Sequence, residues 1–181
     1  MSLILDNILA KGKQRTILFL FALLFTLTPQ VYAQSLQMDY ETILEKAHRA
    51  TSMNNLADAE NLFKQVLRDY PQDYRNSLVL GNLGRVQEMM GKDMEAMDSY
   101  TSSLKLSPQS VPLLEARAAL YLRLGNLSKA VADYTTIIDR EPVNLQALSY
   151  RAYAHSKQRN YIEAKQDYDK VLKIDPRNYA A

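Results

Sequence analysis

The residues that most often carry out acid–base chemistry are few and far apart in this sequence. The only two histidines, His48 and His155, are separated by more than a hundred residues. Aspartate and glutamate are plentiful, but they show no metal-ligand spacing, and the chain has neither a G-x-S-x-G turn nor a phosphate-binding loop. It also has no cysteine, which excludes disulfides and a thiolate metal site. The sequence therefore predicts a protein that is not an enzyme and uses no metal or cofactor.

Three further groups of residues have a structural explanation beside a chemical one. The methionine run MMGKDMEAM could form an adaptable apolar binding patch, but Met90 and Met97 fall at positions expected to be buried, which favours core filling. Acidic residues such as Asp133 and Asp167 are expected on solvent-exposed faces. His155 takes an aromatic position and is expected to be a packed, hydrogen-bonded side chain rather than a ligand.

One sequence motif occurs four times in the chain. The segment 130–142, AVADYTTIIDREP, has an alanine, an aromatic residue four places later and a proline eight places after that. The same skeleton occurs at 59–71, 96–108 and 164–176. The spacing between successive alanines is 37 and then twice 34, and the three extra positions fall in the polar stretch after Pro71. A period of 34 is typical of an array of paired helices.

Each unit reads as two helices separated by a turn and ended by the proline. In the third unit, apolar-periodic stretches at 113–124 and 127–140 flank Gly125 and Asn126. The residues predicted to take the left-handed conformation that ends the first helix are Asn54, Gly91, Gly125 and, because Arg159 is unsuited to it, Asn160. The residues predicted to cap the following helices are Ser110, Asn144 and Asn178, each two places after a proline.

Small residues predict where the two helices of a unit touch. The first helix of each unit has one small residue twelve places before the alanine of the second helix; these are Ala47, Gly84, Ala118 and Ala152. Large side chains at both points would push the helices apart. The aromatic residues Phe63, Tyr100, Tyr134 and Tyr168 lie on the same helical face as the alanines and are expected to fill the space toward the next unit. Stacked units would then share one core.

This combination of small residue, turn, alanine, aromatic residue and proline resembles the tetratricopeptide repeat. The units are 40–73, 77–110, 111–144 and 145–178, with an insertion at 74–76, within a repeat domain at 34–181. The sequence departs from the family pattern at Asp93, where an aromatic residue is usual, and at Arg159, where glycine is usual. The resemblance implies an all-α fold, a right-handed α-solenoid of stacked helix-turn-helix repeats.

The resemblance also implies a function, a non-enzymatic scaffold or adaptor that binds a peptide or protein surface. Such proteins bind partners on a concave face lined by the first helix of each pair. The residues expected on that face and taken as the binding groove are His48, Asn82, Arg85, Met89, Glu115, Arg123, Ser149 and Tyr153, with Glu45, Thr51, Ala119 and Ser156 as further inward-facing positions. Tyr153, Arg85 and Arg123 are the expected anchors. Some relatives grip a terminal carboxylate, but here Glu45, Glu115 and Tyr150 replace the basic residues that such a grip requires.

The segment 1–33 reads as a secretory signal. Three basic residues precede the apolar run at 16–27, and Val31 and Ala33 form an A-x-A-like site, so cleavage is expected after Ala33. The alternative is a membrane anchor, but a run of twelve falls short of the roughly 20 residues that span a bilayer. Cleavage would remove three basic residues and one acidic residue from a chain of net charge +2, leaving no net charge. Neither nucleic-acid binding nor a stable membrane span is therefore expected, and we expect export to a bacterial periplasm or cell envelope.

The last residues, RNYAA, resemble the beginning of a fifth unit. Val171, Leu172 and Ile174 are expected to lack part of their cover, because solenoids usually end in a polar capping helix. Two explanations remain open: the sequence continues in a longer protein, or the uncapped repeat self-associates or is covered by a partner. The alternative function is therefore a structural repeat module of a larger exported protein, which positions another domain or drives self-association.

Overall fold

The computed structural model describes residues 39–178 and shows eight helices and no strand within them. The helices are α1 at 39–52, α2 Leu56–Asp69, α3 Asn76–Met89, α4 Asp93–Leu106, α5 Val111–Arg123, α6 Leu127–Arg140, α7 Leu145–Lys157 and α8 Tyr161–Ile174. The predicted signal at 1–33 and the last three residues lie outside the described part. The chain divides into two compact units, 1–45 and 46–181, and the described part of the first is the beginning of α1.

In the second unit each helix packs mainly against its neighbours in sequence. Helices α3 and α4, α5 and α6, and α7 and α8 form the helix pairs, and each pair contacts the next through α4 with α5 and α6 with α7. A buried cluster from α4 through α8 joins the pairs; it includes Leu104, Leu114, Ile137, Leu148 and Val171. Because every one of these pairs contributes side chains to this cluster, the core is continuous along the array. The predicted all-α solenoid is confirmed.

The turns inside the helix pairs share one backbone geometry. Gly91 and Gly125 have φ of 73° and 76°, and Asn54 has φ of 58°. In the fourth pair the left-handed residue is Arg159, with φ of 65°, so the expectation that Asn160 would take this conformation is wrong. The amide of Asn160 instead donates to the carbonyl of His155, the bond that follows a left-handed residue at a helix end. This bond fixes the position of the left-handed residue, and Arg159 adopts it at some cost in strain.

The predicted contact points between paired helices are buried. The four small residues of the first helices and the four alanines of the second helices are all nearly inaccessible to solvent. The helices approach closely at Gly84, where an added Cβ would lie 2.7 Å from Cε1 of Tyr100. Phe63, Tyr100 and Tyr134 are buried, and Tyr168 of the last pair is half-buried. Small residues therefore set the spacing of the helices, and aromatic rings fill the space that remains.

The caps agree with the prediction only in part. The Asn144 side chain accepts a hydrogen bond from the amide of Ala147 at 2.9 Å and caps α7 as expected. Ser110 occupies the position before α5, but its side chain makes no capping hydrogen bond.

After Pro71, the segment 71–75 forms a longer turn than its equivalents, and α3 begins at Asn76, whose Nδ2 donates to the Tyr70 carbonyl at 2.8 Å. The extra length is therefore accommodated in the connection between two pairs.

A buried carboxylate joins the first two pairs. Glu60 on α2 accepts hydrogen bonds from Lys64 at 2.7 Å, Lys92 at 2.7 Å and Gln87 at 3.3 Å, and Gln87 accepts one from Ser99 at 2.6 Å. Burial by itself would raise the pKa of Glu60, but these hydrogen bonds outweigh it and hold the pKa at about 2. The carboxylate is therefore ionised at neutral pH and fixes α2 against α3.

Candidate functional site

The predicted groove residues lie on the first helices of the pairs. His48, Arg85 and Tyr153 occupy equivalent positions on α1, α3 and α7, because they are separated by the repeat spacing. All three side chains are exposed. Five of the eight predicted residues line two clefts between the first helices.

The α1–α3 cleft is a cavity of about 210 Å³. It is lined by His48, Thr51, Ser52, Phe63, Asn82, Arg85, Val86 and Met89. Four of the predicted groove residues, His48, Asn82, Arg85 and Met89, therefore face one cavity. The structure adds Phe63 of α2 as a wall, a residue that the sequence predicted only as a core aromatic.

Most polar groups of the α1–α3 cleft already have partners. The side-chain amide nitrogen of Asn82 lies 3.2 Å from Nε2 of His48, and the His48 ring lies 5.6 Å from the Phe63 ring. The hydroxyls of Thr51 and Ser52 donate to backbone carbonyls one turn earlier in α1, at 2.9 Å and 2.8 Å. The wall is therefore held in place, and few of its hydrogen-bonding groups remain open to a ligand.

The α3–α5 cleft, of about 360 Å³, lies beside the first and is lined by Arg85, Glu88, Met89 and Arg123. It shares Arg85 and Met89 with the α1–α3 cleft. Residues from α1, α3 and α5 thus line two adjoining cavities, with Arg85 and Met89 at the junction. Such concave surfaces are where ligands bind most often.

Arg123, one of the three expected anchors, is held by acidic neighbours. Its guanidinium donates to Asp93 at 2.8 Å and 3.0 Å and to Glu88 at 2.7 Å. Glu88 also accepts a hydrogen bond from the Tyr100 hydroxyl at 2.5 Å. Burial, together with this bond to a carboxylate, raises the pKa of Tyr100, which stays protonated as a donor. Asp93, the departure from the family pattern, therefore binds Arg123 of the next pair, and the charge of Arg123 is already neutralised.

The remaining predicted residues lie outside both clefts. Glu115 on α5 is half-buried, with its carboxylate 3.5 Å from the Asn144 side-chain amide. The Ser149 hydroxyl donates to the Leu145 carbonyl at 2.7 Å. Tyr153 is 44% exposed, and the Lys157 ammonium lies 5.2 Å from its ring centre. Of these three residues, Tyr153 presents the largest open surface.

Two buried ion pairs contradict the expectation that Asp133 and Asp167 face solvent. Arg117 donates to both oxygens of Asp133 at 2.8 Å, and Arg151 donates to both oxygens of Asp167 at 2.7 Å and 2.8 Å. Both aspartates are buried. The sequence did contain a signal for these pairs: an arginine is followed sixteen positions later by an aspartate, and the same spacing recurs in the next unit. These pairs join the two helices of one unit and do not point to chemistry.

The two histidines do not meet in a common site. His48 lines the α1–α3 cleft, whereas His155 is half-buried near the end of α7 and its Nδ1 finds no hydrogen-bond partner in the described structure, contrary to expectation. Between residues 39 and 178 no group of three or more histidine, aspartate or glutamate side chains is placed to hold a metal ion. No helix in that same range is both long enough and apolar enough to cross a membrane.

Comparison with known proteins identifies the family. Two family profiles match the chain, one at residues 44–111 and one at residues 145–178, and both are described as "Tetratricopeptide repeat". The chain belongs to the tetratricopeptide repeat family. A search of curated protein sequences finds no significant match.

Several solved structures share the fold. A tetratricopeptide repeat protein from Parabacteroides merdae is 35% identical, with a TM-score of 0.76 over 78% of this chain and 55% of its own, so this chain spans about half of that relative. The first repeat domain of Spaghetti (RPAP3), solved with the HSP90 peptide SRMEEVD, is 31% identical, with a TM-score of 0.54 over 60% of this chain and 86% of its own. YrrB, described as having an unusual peptide-binding site, is 14% identical, covers 78% and 71%, and shares the fold with a TM-score of 0.67.

Proposed function

We propose that the protein is a non-enzymatic scaffold that binds a peptide or protein surface along the first helices of its repeats. The observation that carries this proposal is the pair of adjoining clefts with Arg85 and Met89 at their junction. Their walls combine apolar side chains with a few polar groups, which is typical of binding sites. Two similar structures, those of Spaghetti (RPAP3) and YrrB, are described in terms of peptides, which supports the same role here.

Tyr153 extends the proposed surface to α7. Its ring is exposed and lies at the position equivalent to Arg85 two repeats earlier. An exposed, rigid aromatic side chain supplies contact area at low cost in conformational entropy. We expect the partner to contact Arg85 and Tyr153, while Arg123 contributes less because it is already paired with Glu88 and Asp93.

The experiment is affinity capture with matched variants of the full chain. Arg85→Glu and Tyr153→Ala should each reduce the amount of the principal captured protein at least about fivefold, as is usual for interface anchors. Lys165→Glu on α8, which reverses an exposed cation with one acidic partner, serves as the control and should capture the wild-type amount. Capture that is equal in all four proteins would reject these helices as the binding surface.

We also propose that the protein is exported and that its signal is cleaved after Ala33, which places the repeats in a bacterial periplasm or envelope. The support is the sequence pattern of basic residues, apolar run and small residues at 31 and 33. N-terminal sequencing of the protein from fractionated cells should find Gln34 as the first residue in the envelope fraction. A cytosolic protein that begins at Met1 would refute the proposal.

A second candidate function is self-association, or packing against a further domain, through α8. Leu172 is 39% exposed, whereas its equivalents Ile138 and Leu104 are 8% and 6% exposed because the next pair covers them. Ile162 and Ile174 on the same helix are exposed as well. Light scattering of the full chain should give a mass above that of a monomer, and Leu172→Glu should return it to the monomer. A wild-type monomer would argue against self-association.

A further inference from the structure

We propose that the α1–α3 cleft selects a peptide segment in which an apolar side chain fills the cavity and the side-chain carboxylate of a nearby acidic residue pairs with Arg85. This inference rests on the proposed scaffold function and specifies the chemistry of its partner. Three features of the clefts support it: the unpaired charge of Arg85 at their junction, the apolar wall of the α1–α3 cleft, and the small number of cations that line this cleft.

Charge is the first support. Arg85 is exposed, and none of the carboxylates at 39–178 forms an ion pair with it. The other arginine of the adjoining cleft, Arg123, is bound by Glu88 and Asp93. Arg85 is therefore the cation that this junction offers to a ligand, and a guanidinium matches the two oxygens of a carboxylate. An acidic partner would gain an ion pair without breaking one inside the protein.

The apolar character of the cavity is the second support. Phe63 and Val86, almost fully buried, form its inner wall, and the exposed thioether of Met89 lies at its rim. The hydroxyls of the wall already donate to backbone carbonyls, so a polar side chain would lose its water without gaining enough hydrogen bonds. An apolar side chain gives up no hydrogen bonds with water when it enters the cavity, and the flexible Met89 side chain can adjust to its shape.

The carboxylate is expected to come from a side chain rather than from the end of the partner chain. A terminal carboxylate held in a closed site needs several donors or cations around it. Arg85 is the one lysine or arginine side chain lining the α1–α3 cleft, and the His48 ring is already bonded to Asn82. In an extended peptide, side chains two positions apart point to the same side. An apolar residue and an acidic residue with this spacing would reach the cavity and Arg85 together.

The test uses fluorescein-labelled, C-terminally amidated peptide pools with randomised flanking residues and a fixed centre. One pool fixes methionine and glutamate two positions apart; the second replaces the glutamate by glutamine, and the third replaces the methionine by serine. A fourth pool keeps methionine and glutamine but has a free C-terminal carboxylate. Fluorescence anisotropy with the full chain should show the methionine–glutamate pool binding about fivefold more tightly than each of the others, as expected for a partly exposed ion pair and a small apolar contact.

Variants assign the selectivity to the cleft. Arg85→Gln should remove the preference for glutamate over glutamine, whereas the matched control Arg68→Gln, an exposed arginine on α2, should keep it. Met89→Ser should weaken the preference for methionine over serine, whereas Met94→Ser, on the exposed side of α4, should not. Thermal melts followed by circular dichroism verify that each variant is folded.

Each other outcome overturns the inference. Equal binding of the pools, no binding of any pool, or an unchanged glutamate preference in Arg85→Gln would reject the side-chain carboxylate. Tighter binding of the pool with a free terminus would replace it by a terminal carboxylate. If the pools fail while capture still depends on Tyr153, only this inference fails; if capture is also insensitive to the helix variants, the proposed function fails with it.

Discussion

Removing the carboxylate of Asp167 while leaving Arg151 in place should strongly destabilise the last helix pair. Arg151 on α7 donates through Nε and Nη2 to the two oxygens of Asp167 on α8, and its third nitrogen donates to Thr135 at 3.0 Å. The side chains are 15% and 4% exposed. Asp167→Ala would therefore leave a guanidinium with one hydrogen bond in a site that water reaches poorly.

The magnitude follows from this geometry. Breaking a buried ion pair by removing one partner costs roughly 3–5 kcal/mol, because the remaining charge is uncompensated. Arg151 keeps some exposure and its bond to Thr135, so we expect a loss of about 2–4 kcal/mol. Asp167→Leu combined with Arg151→Met removes both charges and should cost only about 1 kcal/mol, since apolar replacements of a buried pair are often nearly neutral.

The assay is urea unfolding of the full chain followed by circular dichroism for Asp167→Ala and for a thermodynamic cycle made of Asp167→Leu, Arg151→Met and their double variant. The matched control is Asp169→Ala, which breaks the exposed pair with Lys165 on the same helix and should cost less than about 0.5 kcal/mol. Because repeat arrays can unfold in stages, fluorescence and circular dichroism must give coincident transitions before the free energies of unfolding are compared.

Two results would refute this reasoning. If Asp167→Ala costs no more than Asp169→Ala, the buried pair has no special energetic role. If the double apolar variant is as unstable as the single variant, the loss comes from altered packing rather than from an unpaired charge. The equivalent pair of Arg117 and Asp133 provides an independent repetition, and Asp133→Ala should fall in the same range.

Three further predictions concern the turns, contacts and network of the fold. The pKa of Glu60 is held at about 2, against an ordinary value near 4.5, so its stabilisation is complete above about pH 4.5 and is lost as the pH falls toward 2. Acid titration of stability should show this loss, on the order of 2–3 kcal/mol, in the wild type but not in Glu60→Gln. Arg159→Gly should raise the free energy of unfolding by about 0.5–1 kcal/mol, because glycine adopts φ of 65° without strain. The urea midpoint should rise accordingly, and a lower midpoint would contradict this. Gly84→Ala should lower the melting temperature, with a cost of about 1 kcal/mol or more despite the better helix propensity of alanine, because its Cβ would collide with Tyr100; an unchanged melt would show that the ring moves freely.

The helical repeat was predictable because it depends on local and periodic properties. The constant period, the small residues twelve positions apart and the residues suited to a left-handed turn specify helix pairs without knowledge of any distant contact. The structure confirms the turns at Gly91 and Gly125 and the buried small residues. It contradicts the prediction at Arg159, because the hydrogen bonds of the helix end determine which residue is left-handed whatever its side chain prefers.

The candidate site was predictable only as a set of positions. Helical periodicity placed His48, Asn82, Arg85 and Met89 on the first helices, and the structure brings these four together in one cavity. It does not place Glu115, Ser149 or Tyr153 in either cleft. Their assignment to one groove remains a prediction, because periodicity specifies the face of a helix but not the depth or the continuity of the surface between helices.

The sequence by itself determined the repeat, its turns and the types of residue available for binding. Only the tertiary structure decided which charged side chains are already paired with an opposite charge inside the protein. Asp133 and Asp167 are buried against arginines on the paired helix, and Arg123 is neutralised by Asp93 thirty positions earlier, so Arg85 is left open. The physical reason is that an ion pair depends on the distance between side chains of different helices, and the packing of those helices sets this distance rather than the order of residues along either one.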